Sequence, residues 1–442
     1  MNEPSELERG FVNPSDLSSE NSLPRYLPWL VVFSASLFFF YEFIQMQMFN
    51  TISRFILGDF KITATTLGYI SSGYFLADII FLFPAGMLID RYSSRKVILA
   101  AMWISVISTA IFAQSHNIVI AAVCHFAAGI GNAFCFICCM RLASRWFPPR
   151  LMALVVGLIV TVAFFGGMVA QTPLAWLTTI LPWREAVMIV SGLGVVIIFI
   201  VWMCVQDYPP NQTKFFEAQK IQLESLGVKR SIKMALSNMQ NWWCGLYTSF
   251  INVPLMLLGG LWGGMYLTVA DGLTTLQASY VSSMIFFGSM IGCPVLGGFS
   301  DYIAQRKMPM IVFAVICLPI MMAIVLIPHL SLTSLLILFF LLGFFTSSQI
   351  IGYPALTESN PKMITGTAMG LASVLIMGSP MIFEPIFGYL MDKNWDGKIE
   401  NGIHVYNINA FYYPMIMLVA ILALGLLASL FVKETYAKHK FD

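Results

Sequence analysis

The sequence predicts an all-α integral membrane protein with twelve transmembrane helices in two pseudo-symmetric six-helix bundles. Three observations carry this expectation. Of the 442 residues, 58% are hydrophobic and only 10% charged, where soluble domains carry about 25% charged residues. Twelve apolar stretches approach or exceed the roughly 20 residues that span a bilayer as a helix. The two halves of the chain also repeat one another.

The apolar stretches run over 27–49, 67–89, 96–113, 117–142, 151–176, 184–206, 243–268, 276–300, 309–327, 332–357, 365–391 and 409–432. In lipid the backbone must satisfy its own hydrogen bonds, so these stretches are helices. The alternating ten-residue segments of a β-barrel are absent. An even number of spans puts both termini on one face. Nineteen of the 24 Lys and Arg residues fall on that face. Only Arg54, Lys61, Arg184, Lys393 and Lys398 fall on the other. Positive charge concentrates on the cytoplasmic side, so the termini are expected there.

The chain divides into a polar cytoplasmic tail (1–25), a first bundle (26–206), a cytoplasmic central loop (207–240), a second bundle (241–435) and a short cytoplasmic tail (436–442). The first tail lacks the basic patch and short apolar core of a secretory signal. The central loop is too short for a nucleotide-binding domain, and no P-loop occurs, which excludes ATP drive within the chain. The net charge of +2 and the lack of a basic tract give no reason to expect nucleic acid. All eight cysteines lie in apolar stretches. Cys135 and Cys138 form a CxxC on the same stretch as His125, but zinc spacing needs a second pair. They read as packing residues, and neither a metal nor a cofactor is expected.

Residues 69–96 and 280–307 align without gaps, with nine identities in 28 positions. Gly86, Asp90, Arg95 and Lys96 match Gly297, Asp301, Arg306 and Lys307. A second repeat pairs 148–158 with 361–371. Parallel six-helix repeats are a transporter architecture with the substrate site between them.

The loop "GMLIDRYSSRK" (86–96) and its partner "GGFSDYIAQRK" (297–307) resemble the signature of the major facilitator superfamily. Gly86, Asp90, Arg91, Arg95 and Lys96 fit it, and the second copy lacks only the first Arg, where Tyr302 stands. The resemblance implies that this motif gates the alternating-access cycle and does not bind substrate. Arg141, at the end of the fourth stretch, is the expected partner of Asp90. Asp301 has Glu358 in its neighbourhood instead.

Four ionisable residues lie away from the ends of the stretches: Glu42, Asp78, His125 and Glu384. A charge at the centre of a membrane helix costs about 2.5–3.5 kcal/mol on insertion scales, so such residues usually face a cavity. A carboxyl there is a natural proton carrier. His125 reads as a packing residue. Tyr41 adjoins Glu42, and Gln45 shares its helix face one turn on, whereas Gln47 does not. Gln171 occupies the repeat position of Glu384. Trp262 and Tyr266 flank a glycine-rich stretch and could close over a ligand. Asn252, Gln349 and Tyr353 complete the expected polar lining.

The stretches 38–52, 260–267 and 284–301 are similar to bacterial nutrient permeases of the phagosomal-transporter group. That resemblance implies import of amino acids or, in some members, nucleosides. The expected function is proton-coupled uptake of a small polar nutrient, an amino acid or short peptide, by a monomer in a bacterial inner membrane. Export of a drug, metabolite or siderophore is the alternative. Gly166 and Gly167 stand in the fifth stretch without the Gly-Pro that drug antiporters of the superfamily carry, which argues against it. A non-transporting sensor is a remote third reading. No nucleophile–base pair suggests an enzyme.

Overall fold

The computed structural model describes residues 26–147, 151–209, 228–361, 364–400 and 402–437. The first tail and most of the central loop lie outside these residues. So do the side chains of Asp90 and Arg91, and with them the expected Asp90–Arg141 pair.

The chain is almost entirely helical. The first half comprises α1 (Leu27–Phe60), α2 (Ala64–Arg91), α3 (Ser94–Gln114), α4 (Ile118–Trp146), α5 (Met152–Ile180) and α6 (Trp183–Cys204). A short amphipathic helix, α7 (Val228–Ser237), precedes the second half. There follow α8 (Met239–Gly260), α9 (Gly263–Ala270), α10 (Thr275–Tyr302), α11 (Lys307–Leu326) and α12 (Leu332–Thr346). A 3₁₀ turn (Ser347–Ile351) links α12 to α13 (Gly352–Glu358), and α14 (Thr365–Lys393) and α15 (Ile408–Phe431) complete the chain. A two-stranded hairpin, β1 (Ile399–Glu400) and β2 (Ile403–His404), joins the last two helices. Among the described residues eleven helices are long and apolar enough to cross a membrane. The number is twelve if α8 and α9, bent by 68° at their junction, form one span.

Local chemistry sets the boundaries. The side chains of Thr63, Ser93, Asn117 and Asn407 accept a backbone N–H in the first turn of α2, α3, α4 and α15. Thr274 and Gln277 form a reciprocal capping box at α10. The sequence repeat is reproduced in the helices themselves. Both α2 and α10 have 28 residues, and both α5 and α14 have 29. The first span runs further than hydropathy indicates, to Phe60 instead of residue 49. Asn50, Thr51 and Ser53 are buried against other helices, so the protein interior stands in for lipid around them.

The halves meet along two seams, α2 with α14 and α5 with α10. Both are tight toward the face opposite the termini. A Cβ added at Gly68 would lie 2.7 Å from the Glu384 carbonyl oxygen, and one at Gly388 would lie 2.4 Å from that of Ala64. In the other seam Thr172 Oγ1 meets Ser283 Oγ at 2.7 Å, and a Cβ at Gly167 would strike the Phe286 ring. Toward the termini face such close approaches are fewer: among the described residues a Cβ at Gly86, Gly157, Gly298 or Gly370 would meet nothing within 4 Å. The seams are therefore tightest at the face opposite the termini.

Each half is tied at its termini face by a carboxylate. In the first half Asp207 accepts from Ser93 Oγ and from the Arg95 backbone N–H, and Arg145 Nη1 lies 3.9 Å away. In the second, Arg306 bridges Asp301 (2.5 Å) and Glu358 (2.8 Å). Glu434 accepts the backbone N–H groups of Arg306 and Lys307, both at 2.8 Å, and so caps α11. Burial alone would raise the Glu434 carboxyl, but backbone N–H bonds from Arg306, Tyr436, Lys307 and Thr435 hold it below its ordinary value. A depressed folded pKa contributes stability that is present above the unfolded value and lost as pH falls through the folded one. Glu434→Gln is expected to cost about 1 kcal/mol at neutral pH, as for loss of a helix cap. Thermal unfolding of both proteins against pH checks this. The gap in Tm should close on acidification, and a constant gap would refute the assignment.

Candidate functional site

Polar side chains inside the bundle fall into two neighbouring groups. The first lies within the N-terminal half around Glu42, which is fully buried. Ser105 Oγ donates to Glu42 Oε1 at 2.5 Å from α3, and the Tyr74 hydroxyl donates to Oε2 at 2.9 Å from α2. Helix α4 can come this close because residue 131 is glycine: a Cβ there would lie 2.1 Å from Ser105 Oγ and 2.6 Å from Glu42 Oε1. Asp78 follows Tyr74 by one turn of α2 and faces Asn132 of α4. His125 stacks on Phe49, with ring centroids 3.9 Å apart, and lies against Tyr74, as befits a packing residue.

The second group lies between the halves, where the seventh span breaks. Interrupting a helix frees backbone groups that need partners. Here the first half supplies them. Gln171 Nε2 donates to the Gly259 carbonyl at 2.8 Å, and Asn50 Oδ1 accepts the Gly264 N–H at 2.7 Å. Asn50 Nδ2 in turn donates to Gln171 Oε1 at 2.7 Å, which makes the two amides one unit. Glu384 lies on α14 beside this break; the Ser71 hydroxyl of α2 approaches it, but neither carboxylate oxygen makes a well-formed hydrogen bond. Gln47 Oε1 and the Trp262 indole N–H are also buried and unpartnered. Trp262 stacks on Phe387, one turn beyond Glu384, at 5.3 Å and an interplanar angle of 8°.

The remaining expected lining residues are dispersed. The Tyr41 ring packs within the first half against Gly194 and Val106. Gln45 is buried with its amide unbonded. Tyr266 donates to the Ile324 carbonyl at 2.8 Å inside the second half. Asn252 and Gln349 bond each other at 2.9 Å, and Tyr353 is half-buried nearby in sequence on α13. At the termini face Lys307 Nζ reaches the Leu430 carbonyl, Arg95 donates to the Trp202 carbonyl, and Lys96 lends its backbone N–H to the Ser93 cap. Arg141 Nη1 is buried without a partner among the described residues. Gln47, Tyr74 and Ser105 were not expected from the sequence. Ser105 and Tyr74 act on Glu42 from other helices, and only the packing brings them together.

A two-seam helical bundle with buried carboxyls has the architecture of a membrane carrier. The chain belongs to the Major Facilitator Superfamily, whose profile matches residues 33–383 and 272–442, and it is a multi-pass membrane transporter. It is 24% identical over 385 residues to the "Probable galactarate/D-glucarate transporter GudP" of Escherichia coli strain K12, covering 78% of this chain and 84% of that one. The "Hexuronate transporter" of Bacillus subtilis is 20% identical, covering 82% and 80%. A solved D-xylose–proton symporter superposes with a TM-score of 0.72 at 15% identity, covering 93% of this chain and 99% of that one. A bacterial homologue of the human lysosomal transporter Spinster, solved inward-facing and occupied, gives 0.70 at 15% identity, covering 93% and 97%. These likenesses bear out the resemblance to the major facilitator superfamily and the fold expected from sequence; the curated relatives are named for sugar acids, not for amino acids.

Proposed function

We propose that the protein takes up a small polar nutrient across a bacterial inner membrane as a proton-coupled monomer, with Glu42 as the proton carrier. One observation carries the coupling: the surroundings of Glu42 serve both of its protonation states. Ionised, it accepts from Ser105 and Tyr74. Protonated at Oε1, it donates to Ser105 Oγ, whose hydroxyl then turns to the Ala128 carbonyl at 3.3 Å. Neither state strands a buried polar group, which would cost about 1–3 kcal/mol. The tightly packed face lies opposite the termini, so with cytoplasmic termini it is the outer one.

The substrate reading we favour is a neutral or zwitterionic nutrient such as an amino acid. Among the described residues the buried bases are His125, packed on Phe49, and Arg306, far from the break at the termini face, whereas Glu384 lies beside the break; the exposed Arg54 lines a small pocket with Asn50, Gln171 and Gly264. A dicarboxylate at about 4 Å from an ionised Glu384 would meet about 4 kcal/mol of repulsion at an effective dielectric constant of 20. The names of the relatives favour a second reading, a sugar acid such as galactarate, D-glucarate or a hexuronate.

Proteoliposome uptake of amino acids, dipeptides, nucleosides and sugar acids, with and without an imposed pH gradient, tests both. An amino acid is expected to accumulate only with the gradient. Accumulation of galactarate alone would select the second reading, and uptake indifferent to pH would end the proton-coupled one.

A further inference from the structure

We propose that Glu384 and Gln47 form a subsite for a substrate ammonium group at the break of the seventh span. The inference rests on the transport reading above and adds the chemical class that this site admits. The site offers acceptors. The Ser71 hydroxyl approaches Glu384, which is 1% exposed, but neither carboxylate oxygen makes a well-formed hydrogen bond, and Oε1 of the fully buried Gln47 has no partner. The Gln47 amide nitrogen is engaged with Met256 Sδ at 3.7 Å, so the oxygen is what the side chain presents.

The two acceptors converge on Gly260. The point where a Cβ would stand there lies 3.0 Å from Gln47 Oε1 and 3.7 Å from Glu384 Oε1. The lack of a side chain at residue 260 thus leaves both oxygens uncovered on the side of the break, close enough together for one donor group to meet both. An ammonium carries three donors and no acceptor, and so complements acceptors from two helices at once. A carboxylate brings only acceptors and a like charge. A hydroxyl satisfies one acceptor and leaves the carboxylate's charge unbalanced. The subsite draws Gln47 from the first half and Glu384 from the second, so a bound ammonium ties the halves together near the tight end of the α2–α14 seam.

The test is counterflow exchange in proteoliposomes at equal pH on both sides, which reads binding and translocation without a proton gradient. The probes are amino acids, their N-acetyl derivatives, galactarate and D-glucarate. N-acetylation and Glu384→Gln are each expected to lower exchange at least about tenfold, or 1.4 kcal/mol. Glu384→Asp should keep the preference for the free amine at reduced affinity, and Gln47→Leu should weaken it. The Tm of each purified variant shows that it is folded. Equal exchange of free and N-acetylated probes, full exchange by Glu384→Gln, or exchange of a sugar acid with no amine exchanged would each overturn the proposal. Amine-selective exchange that depends on Glu384 supports the subsite even where gradient-driven uptake fails, so the subsite and the coupling role of Glu42 fail separately.

Discussion

Glu42→Gln is expected to abolish accumulation against a gradient while leaving counterflow exchange within about threefold of wild type, a cost below 1 kcal/mol. The amide matches the carboxyl in volume, which matters where Gly131 leaves no spare room. Its oxygen can still accept from Ser105, and its nitrogen can donate to the Tyr74 oxygen. What it lacks is a titratable proton. The variant therefore behaves like a permanently protonated carrier that moves substrate in either direction down its gradient. Proteoliposomes with an inward pH gradient, compared with exchange at equal pH, separate the two activities. Uphill uptake by the variant at wild-type level would rule out Glu42 as the carrier and turn attention to Asp78, which faces Asn132 in the same half.

A comparably large effect is expected from closing the space at a seam. Gly68→Ala and Gly388→Ala each place a methyl group against backbone of the other half, at 2.7 and 2.4 Å. A backbone carbonyl cannot swing aside as a side chain can, so α2 and α14 must separate. Overpacking of this kind costs about 1–3 kcal/mol, enough to shift a two-state equilibrium roughly five- to 150-fold. The cost falls on the state closed at that face and not on either half, so the variants should fold yet transport poorly. Spin labels on the two helix ends at that face should report a longer mean distance. Wild-type uptake with an unchanged distance distribution would show that the seam yields by another route. Gly86→Ala, at the termini end of α2, where a Cβ meets nothing within 4 Å among the described residues, should leave the observed state undisturbed.

Much of this architecture was legible in the sequence because lipid imposes a simple rule. Long apolar runs gave the spans, and the matched stretches 69–96 and 280–307 foretold two helices of equal length. Glu42 and Glu384 stood out as carboxyls in apolar runs, and both are buried. Other features were hidden because they depend on neighbours. Gln47 is off the face of Glu42, as helical spacing requires, but α1 is enclosed by both halves and its other face also lines the interior. The seventh span reads as one apolar run, and its four glycines suggest a bend without locating it between Gly260 and Gly263. Asp301 and Glu358 were seen as neighbours. Arg306, read as part of the gating motif, is the base that holds them together.

The matched lengths of α2 and α10, and of α5 and α14, have a mechanical consequence. Helices of equal length on the two sides can rock like an equal-armed lever about a point near mid-span. A given rotation then opens one mouth by as much as it shuts the other. Glu384, whose carbonyl meets Gly68, lies on the tightly packed side of that point, so a ligand held there is sealed from one face as the seam shuts and released to it as the seam opens.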